Sequence, residues 1–392
     1  MKPVTLILML VFPVAVIAQE QDPRLIESRP IATSVRPEAV FRTANVEGVF
    51  VEPSPSPGVG RPFPQATKAS RQTSGQAQPG SQQPRRPRPE GSMVGYIDNA
   101  VVGSQIRIRF DGGFDNPFPD RAEFFYAKCG CYTGLAGVIP QAFDPNASGP
   151  GSSAGVPQTL NFQQLYVDAE YAPHPRFSFS VEFPVRWFQI QGFQPIPPFP
   201  AFSNQSGLGD VRVGFKAAMV ASEDRDVTFQ LRAYVPSGDA SKGMGTDHSS
   251  LEPALLYHQK VSQRAAVESQ IGAWLPIGGN AGVPTAGSDK FSGKVFFYGI
   301  GPSYELYTGS RVRFVPVVEV VGWHVLNGFQ TQPGGPLLGA AVDASGTDVV
   351  NIKFGARTSI DARSSFYVGY GRALTDATWY KDIVRFEYRY SF

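Results

Sequence analysis

Long runs in which apolar and polar residues alternate are the feature that most constrains the fold of this chain. From Phe177 to Val185 every second residue is apolar, and the residues between are mostly polar. A similar run ends the chain, where every second residue from Val384 to Phe392 is apolar or aromatic. Because successive side chains of a strand point to opposite faces, each run predicts a strand with one apolar and one polar face.

The lengths of the runs and of their connections favour a membrane barrel over a soluble sandwich. Several runs extend over ten or more residues, whereas strands of globular proteins usually have about five or six. A tilted strand that crosses a membrane needs about 9–11 residues. Connections alternate between tight turns, such as 221–226 and 361–364, and long segments, such as 324–347. Outer-membrane barrels show this asymmetry, with short periplasmic turns and longer outer loops.

These patterns predict an all-β fold, a transmembrane antiparallel up-and-down β-barrel of about 12 strands, with 14 as the alternative. Eleven strands are predicted at 160–171, 175–186, 209–220, 226–236, 250–260, 264–276, 292–306, 310–323, 348–360, 364–374 and 381–392. Because single-chain bacterial barrels have even strand numbers, the twelfth is placed at 121–128. Residues 104–110 are then expected to form a periplasmic or lumenal strand outside the ring.

The region before the barrel divides into two segments of different composition. Residues 1–18 contain a lysine followed by a nearly continuous apolar run, which predicts a signal peptide and export from the cytoplasm. Residues 19–103 are assigned to a low-complexity, Pro-rich periplasmic arm. Its central part, 52–92, has almost no large apolar side chain and is therefore expected to be disordered. Residues 104–392 are assigned to the outer-membrane barrel.

Composition excludes several other classes of protein. The formal net charge of +2 is too balanced for a nucleic-acid binder, so no nucleic-acid partner is expected. After residue 18 no segment approaches the ~20 apolar residues of a membrane-spanning helix. The chain has 2 Cys, too few for a four-thiolate zinc site, and neither a metal nor a cofactor is expected.

The polar faces of the predicted strands form the candidate pore wall. An Arg or Lys on the lipid face costs about 2–4 kcal/mol at the bilayer midplane, so the alternating charges are expected to face the lumen. The lumen-lining candidates are Arg186, Arg212, Lys216, Arg232, Glu268, Glu319, Lys353, Arg357, Arg385, Glu387 and Arg389. Two interpretations stay open: a wall biased towards anions, or cross-strand ion pairs that brace the barrel.

The outward apolar face makes outer-membrane lipid an expected partner. Tyrosine and tryptophan residues near strand ends are expected to form interfacial girdles. The girdle candidates are Trp187, Tyr307, Trp379, Tyr380, Tyr388 and Tyr390.

The predicted outer loop at 187–208 is unusually apolar, and exposed apolar patches usually mark an interaction site. The candidate residues for gating or solute access in this loop are Trp187, Phe188, Phe193, Phe199 and Phe202. The alternative is a loop that packs on its neighbours or on lipid headgroups.

Two cysteines lie at the start of the first predicted outer loop. Cys129 and Cys131 are separated by one glycine, so a bond between them would close a tight ring. In an oxidising compartment they predict a structural disulfide or an intermolecular contact.

Two short patterns carry resemblances to known proteins. The terminal strand, 381–392, ends on a phenylalanine and resembles the C-terminal signal of bacterial outer-membrane proteins. This resemblance implies the barrel-assembly machinery as a partner that binds the strand ending at Phe392. The sequence GLGD at 207–210, together with PSGD at 236–239, is similar to an outer-membrane transporter family named for the meta-pathway of phenol degradation. That resemblance covers roughly 160–392 and implies transport in the bacterial outer membrane, but it identifies no substrate.

The sequence therefore predicts an outer-membrane channel or transporter for passive uptake or efflux of small solutes, including hydrophobic or aromatic ones. The alternative is a structural or adhesive barrel whose basic arm, rich in Arg and Pro at 84–89, binds the cell wall. Catalysis is not expected. Asp247, His248 and Ser249 are adjacent in a predicted loop, an arrangement that rarely brings an oriented base to a nucleophile.

Overall fold

The computed structural model describes residues 91–117, 156–194, 204–239, 244–246, 248–277, 292–331 and 341–392. In chain order its strands are β1 (Gln105–Asn116), β2 (Val156–His174), β3 (Phe177–Gln194), β4 (Gln205–Leu208), β5 (Val211–Ala221), β6 (Arg225–Val235), β7 (Ser249–Lys260), β8 (Ala265–Ile277), β9 (Val295–Tyr304), β10 (Tyr307–Thr308), β11 (Val312–Val325), β12 (Phe329–Thr331), β13 (Ala341–Asp343), β14 (Asp348–Ile360), β15 (Ser364–Ala373) and β16 (Asp382–Ser391). No helix in these ranges is long and apolar enough to span a membrane.

Twelve of these strands form a closed antiparallel barrel. They are β1, β2, β3, β5, β6, β7, β8, β9, β11, β14, β15 and β16, and each pairs with its neighbour in this order. The ring closes between the first and the last strand, where Gln105 opposes Ser391 and Phe114 opposes Asp382. The predicted transmembrane up-and-down barrel of about 12 strands is thus confirmed.

The identity of the first strand differs from the prediction. Strand β1 pairs with β16 on one side and with β2 on the other, so 104–110 belongs to the ring and the expectation of a strand outside it was wrong. The segment 121–128 lies outside the described residues. The outer face of β1 carries Ile106, Ile108 and Phe114, which are exposed, and Gly112 is the one small residue between them. The prediction of a strand outside the ring rested on an even strand number with 121–128 as the twelfth strand.

The two faces of the barrel separate apolar from charged side chains. Large apolar residues such as Phe183, Ile300 and Phe386 are exposed on the outside, whereas charged residues such as Glu319 and Arg357 are buried inside. In hydrocarbon every backbone N–H and C=O must be paired within the protein, and a closed ring leaves no strand edge unpaired. The alternation of the sequence therefore becomes a lipid-facing and a lumen-facing surface.

The two ends of the barrel differ in the length of their connections. Short turns at 175–176, 222–224, 261–264 and 361–363 lie at one end, called here the turn end. The amide of Phe392 donates to the carbonyl of Ser104 at 3.1 Å, so β1 begins and β16 finishes at this end. The opposite, loop end carries the long connections, including the hairpin formed by β12 and β13.

Candidate functional site

Residues 91–103, called here the plug loop, lie inside the barrel. Their backbone and side chains contact β6, β8, β11, β14 and β16, so the loop crosses the whole lumen. Both of its ends lie at the turn end, because Ser92 contacts Arg389 there and Ser104 precedes β1. These residues are predicted from the sequence as the end of the Pro-rich arm, whose residues 19–90 lie outside the described part of the chain.

Two buried glutamates accept hydrogen bonds from the amides of the plug loop. Glu319 accepts from Gly95 at 2.8 Å, from Tyr96 at 2.7 Å and from Ile97 at 3.0 Å. Glu268 accepts from Met93 at 2.9 Å. Hydrogen bonds to an ionised carboxylate are shorter and stronger than those between neutral groups. These carboxylates therefore replace the backbone partners that a strand would have.

Three arginines donate to the carbonyls of the same loop. Arg357 donates to Val94 at 2.8 Å and to Met93 at 3.2 Å. Arg389 donates to Ser92 at 2.9 Å, and Arg385 donates to Gly95. The loop has no regular secondary structure, so these side chains satisfy polar backbone groups that burial would otherwise leave unpaired.

The apolar side chains of the plug loop pack against one side of the lumen. Val94 and Ile97 form a buried cluster with valines 315, 317 and 321 of β11. Gly299 and Gly301 of β9 provide the space for them, because a Cβ on Gly301 would lie 2.8 Å from Val94. A wall with larger residues at these two positions would exclude the loop.

Asp98 anchors the far end of the plug loop. Its carboxylate pairs with Arg232 at 2.7 Å, and Gln230 donates to it at 3.1 Å. Burial by itself raises the pKa of Asp98, but the positive charges of Arg232, Arg107 and Lys216 outweigh burial and hold this pKa well below its usual range. Asp98 is therefore ionised at neutral pH.

The plug loop separates two cavities. The loop-end cavity, of about 110 Å³, has Tyr96 and Asp98 of the plug loop in its lining. Its wall combines charged residues with an unusual number of aromatic rings, namely Phe162, Tyr166, Tyr234, Phe297, Trp323, Trp379 and Tyr380. The turn-end cavity, of about 400 Å³, is strongly basic and is lined by Arg311, Arg313, Arg357, Arg363 and Arg389.

The structure places all the predicted lumen-lining residues on the inner face. Most of the bases among them pair with carboxylates: Arg212 contacts Glu182 at 2.6 Å, and Lys216 contacts Glu170 at 3.0 Å. Glu387 lies between two arginines, Arg357 at 2.8 Å and Arg389 at 2.9 Å. This arrangement supports the interpretation of ion pairs that brace the barrel.

Sequence reasoning missed the contributions of β1 and of the plug loop to the lumen. The residues not selected include Tyr96, Asp98, Arg107, Arg109 and Asp111. For β1 the signal was present, because Arg107, Arg109 and Asp111 alternate with apolar residues. The plug loop offers only a weaker signal, an apolar stretch directly after the Pro-rich segment.

The predicted gating or access loop begins later than expected. Trp187, Phe188 and Phe193 belong to β3, which continues to Gln194, whereas Phe199 and Phe202 lie outside the described residues. Trp187 is exposed, whereas Phe188 is buried at the loop end in an apolar cluster that also contains Leu160, Trp274 and Trp379. Both faces of β3 are apolar at this point, so the alternation fades although the strand continues.

Two other predictions concern residues near the loop end. Trp379 and Tyr380 were expected in an interfacial girdle, but both are buried inside the barrel, where Trp379 packs against Trp323 at 4.4 Å between ring centroids. Their connection folds inward because an apolar cluster is available there. Cys129 and Cys131 lie outside the described residues.

The two short motifs, GLGD and PSGD, meet at the loop end. Asp210 accepts hydrogen bonds from the amide of Gly238 at 3.0 Å and from the amide of Thr246 at 2.8 Å. A Cβ on Gly238 would lie 2.6 Å from the carbonyl oxygen of Met244, so only glycine fits. The amide of Val211 donates to the hydroxyl of Ser237 at 2.9 Å. The motifs therefore tie two loop-end connections together.

Comparisons with known proteins give structural likenesses at low sequence identity. No family model matches the chain, and no curated protein matches it. An outer membrane channel from Pseudomonas putida F1 has 14% identity and a TM-score of 0.44, covering 76% of this chain and 99% of that chain. The β domain of the Bordetella autotransporter Brka has 10% identity and a TM-score of 0.40, covering 74% of this chain and 100% of that chain.

A third solved structure, the CymD monoaromatic hydrocarbon channel, has 9% identity and a TM-score of 0.33. The match covers 74% of this chain and 89% of that chain. The resemblance to the transporter family of phenol degradation is not confirmed by these comparisons.

Proposed function

We propose that this protein is an outer-membrane channel for the passive passage of small solutes, closed by the plug loop in the conformation described above. The observation that carries the proposal is the division of the lumen into two cavities by a loop that no strand pairing holds in place. The apolar outer surface and the barrel closure suit an outer membrane.

The contacts of the plug loop are of a kind that permits opening. Side chains of the wall hold the loop through hydrogen bonds and ion pairs, each of which water replaces when the loop leaves. Departure of the loop breaks no pairing of the ring, because β1 begins only at Gln105. The channel state is therefore the same barrel with the segment 91–103 displaced towards the turn end.

The aromatic wall of the loop-end cavity supports small hydrophobic or aromatic molecules as the solutes. Binding pockets for small molecules are mostly apolar with a few placed polar groups, and eight aromatic rings line this cavity.

If the plug loop never leaves the lumen, a second function is favoured. The barrel would then be a structural or adhesive anchor, and the basic Pro-rich arm would bind the cell wall from the turn end. Burial of the loop among ionised side chains supports this alternative, since breaking such contacts is costly.

Liposome swelling and planar-bilayer recording distinguish the two functions. The full chain is compared with a variant that lacks residues 92–102 but keeps β1 and the arm. A channel closed by the plug loop gives low flux in the full chain and higher flux in the variant. If neither protein exceeds empty membranes, the channel function is refuted and the anchor remains.

A further inference from the structure

We infer that the loop-end cavity is a binding site for a small organic anion with one flat ring, and that Lys353 binds its carboxylate. This inference deepens the proposed channel function by naming the chemical class of the solute. It depends on the hydrogen-bonding capacity that the cavity leaves unused, on the position of one lysine and on the size of the cavity.

The unused hydrogen-bonding atoms of the residues that line the cavity can all donate. Among the described residues, three of the lining residues carry a buried atom with neither a hydrogen bond nor an ion pair: the Tyr96 hydroxyl, Gln164 Nε2 and Arg212 Nε. Each carries a proton to donate. A ligand that complements them must supply acceptors, and a carboxylate is the acceptor-only group that organic molecules most often carry.

The acids of the cavity, in contrast, are already engaged. Asp111 accepts two hydrogen bonds from Arg385, at 2.6 and 2.7 Å. Asp98 and Glu252 share Arg232. The cavity therefore has little capacity left for a cation.

Lys353 is a buried lysine that forms no ion pair with a carboxylate among the described residues. Its Nζ donates to the Tyr380 hydroxyl at 2.7 Å and lies 3.9 Å from the ring centroid of Tyr96 and 6.0 Å from that of Trp323. Lys353 is 1% exposed and is one of the residues that line the cavity. Its Nζ has hydrogen-bonding capacity beyond the single bond to Tyr380.

Tyr380 offers a further hydrogen-bond donor to the cavity. Burial raises the pKa of Tyr380 well above its ordinary value, so this hydroxyl keeps its proton. It accepts from Lys353 and, at 3.3 Å, from Asn351. Its own proton is free to donate to an acceptor in the cavity.

The dimensions of the cavity select a ligand with one ring. Its volume is about 110 Å³, the same order as the ~150 Å³ apolar cavity that holds benzene. Phe162, Phe297 and Trp379 supply flat apolar surface beside the donors. A monocyclic carboxylate such as benzoate matches both parts of the site, whereas a sugar would leave the ring surfaces unfilled.

The test is calorimetric binding at neutral pH to the full chain in detergent, with quenching of tryptophan fluorescence as a second signal. The probes are benzoate, benzyl alcohol, which has the ring without the charge, and acetate, which has the charge without the ring. We expect benzoate to bind about tenfold or more tightly than either of the others. If benzyl alcohol binds as tightly as benzoate, the site does not require an anion. If acetate binds as tightly as benzoate, the site does not require a ring. Either result overturns the inference.

Variants assign the site to Lys353. Lys353→Met should weaken benzoate about tenfold or more, Lys353→Arg should keep most of the binding, and Lys260→Met is the matched control because Lys260 lines a different cavity. Unchanged affinity in Lys353→Met refutes the assignment. If Lys353→Met fails to form a barrel, Gln164→Leu in the same cavity replaces it, with weaker benzoate binding expected and unchanged binding counting against the site.

The experiment is independent of transport. Binding at equilibrium is measured without flux, so a barrel that binds benzoate but conducts nothing refutes the channel and keeps the site. A barrel that conducts but does not bind benzoate refutes the binding site and keeps the channel.

Discussion

The barrel wall and the plug loop lie side by side but are stabilised in opposite ways. Each strand of the wall pairs its backbone with two neighbours over the length of the ring, as β11 does with β9 and β14. The plug loop pairs its backbone with side chains, chiefly Glu319 and Arg357. A ladder of many equivalent bonds tolerates the loss of one, whereas a loop held by a few side chains depends on each of them.

This difference predicts that single substitutions release the plug loop without unfolding the wall. The largest effect is expected for Glu319→Leu, because it leaves the amides of Gly95, Tyr96 and Ile97 without partners. Each unpaired buried amide costs about 1–3 kcal/mol. Hydrogen exchange of residues 94–98 should accelerate about a hundredfold or more while exchange in β14 and β15 stays slow. Glu223→Leu, in an exposed turn, is the control, and equal acceleration in the wall would contradict the comparison.

The second effect is steric and is expected for Gly95→Ala. The added Cβ would lie 2.2 Å from the ring of Tyr367, and overpacking of this kind costs about 1–3 kcal/mol. Channel current in planar bilayers should rise as the loop is displaced. Gly103→Ala is the matched control in the same loop, since nothing lies within 4 Å of its added Cβ. A rise of similar size in both variants would be evidence against docking by shape.

Acidification is expected to loosen the Asp98 end of the plug loop. The pKa of Asp98 is lower in the folded protein than in the unfolded chain, where it is about 3.9. Its stabilising contribution is therefore complete above that unfolded value and is lost as the pH falls through the folded pKa. Hydrogen exchange of residues 97–101 should accelerate only below about pH 4. Asp98→Asn should remove this dependence, whereas Asp361→Asn, in an exposed turn, should retain it.

The smallest effect is expected for Thr228→Val. The hydroxyl of Thr228 donates to the carbonyl of Ala100 at 2.5 Å, and loss of one neutral hydrogen bond costs about 0.5–1.5 kcal/mol. Exchange near residue 100 should accelerate by about tenfold or less, with no measurable change at Gly95. A larger effect spreading through the whole loop would mean that the loop docks as one cooperative unit.

Much of the wall could be predicted from the sequence, because its signal is local. Alternation from Phe177 to Val185 and from Val384 to Phe392 assigns each side chain to the lipid or to the lumen without knowledge of the neighbouring strand. The predicted positions of Arg357 and Glu387 on the inner face follow from this geometry. The prediction failed at β1, because placing the twelfth strand at 121–128 already gave an even number and excluded 104–110 from the ring.

The sequence by itself determined an all-β barrel and the face on which each alternating charge lies, because the period of two is a property of the single strand. Only the tertiary structure decided what fills the lumen. Residues 92–102 have no period, and their partners are remote along the chain: Met93 contacts Glu268, 175 positions away, and Arg357, 264 positions away. Such contacts exist only after the ring has closed and brought β8 and β14 to face the same interior.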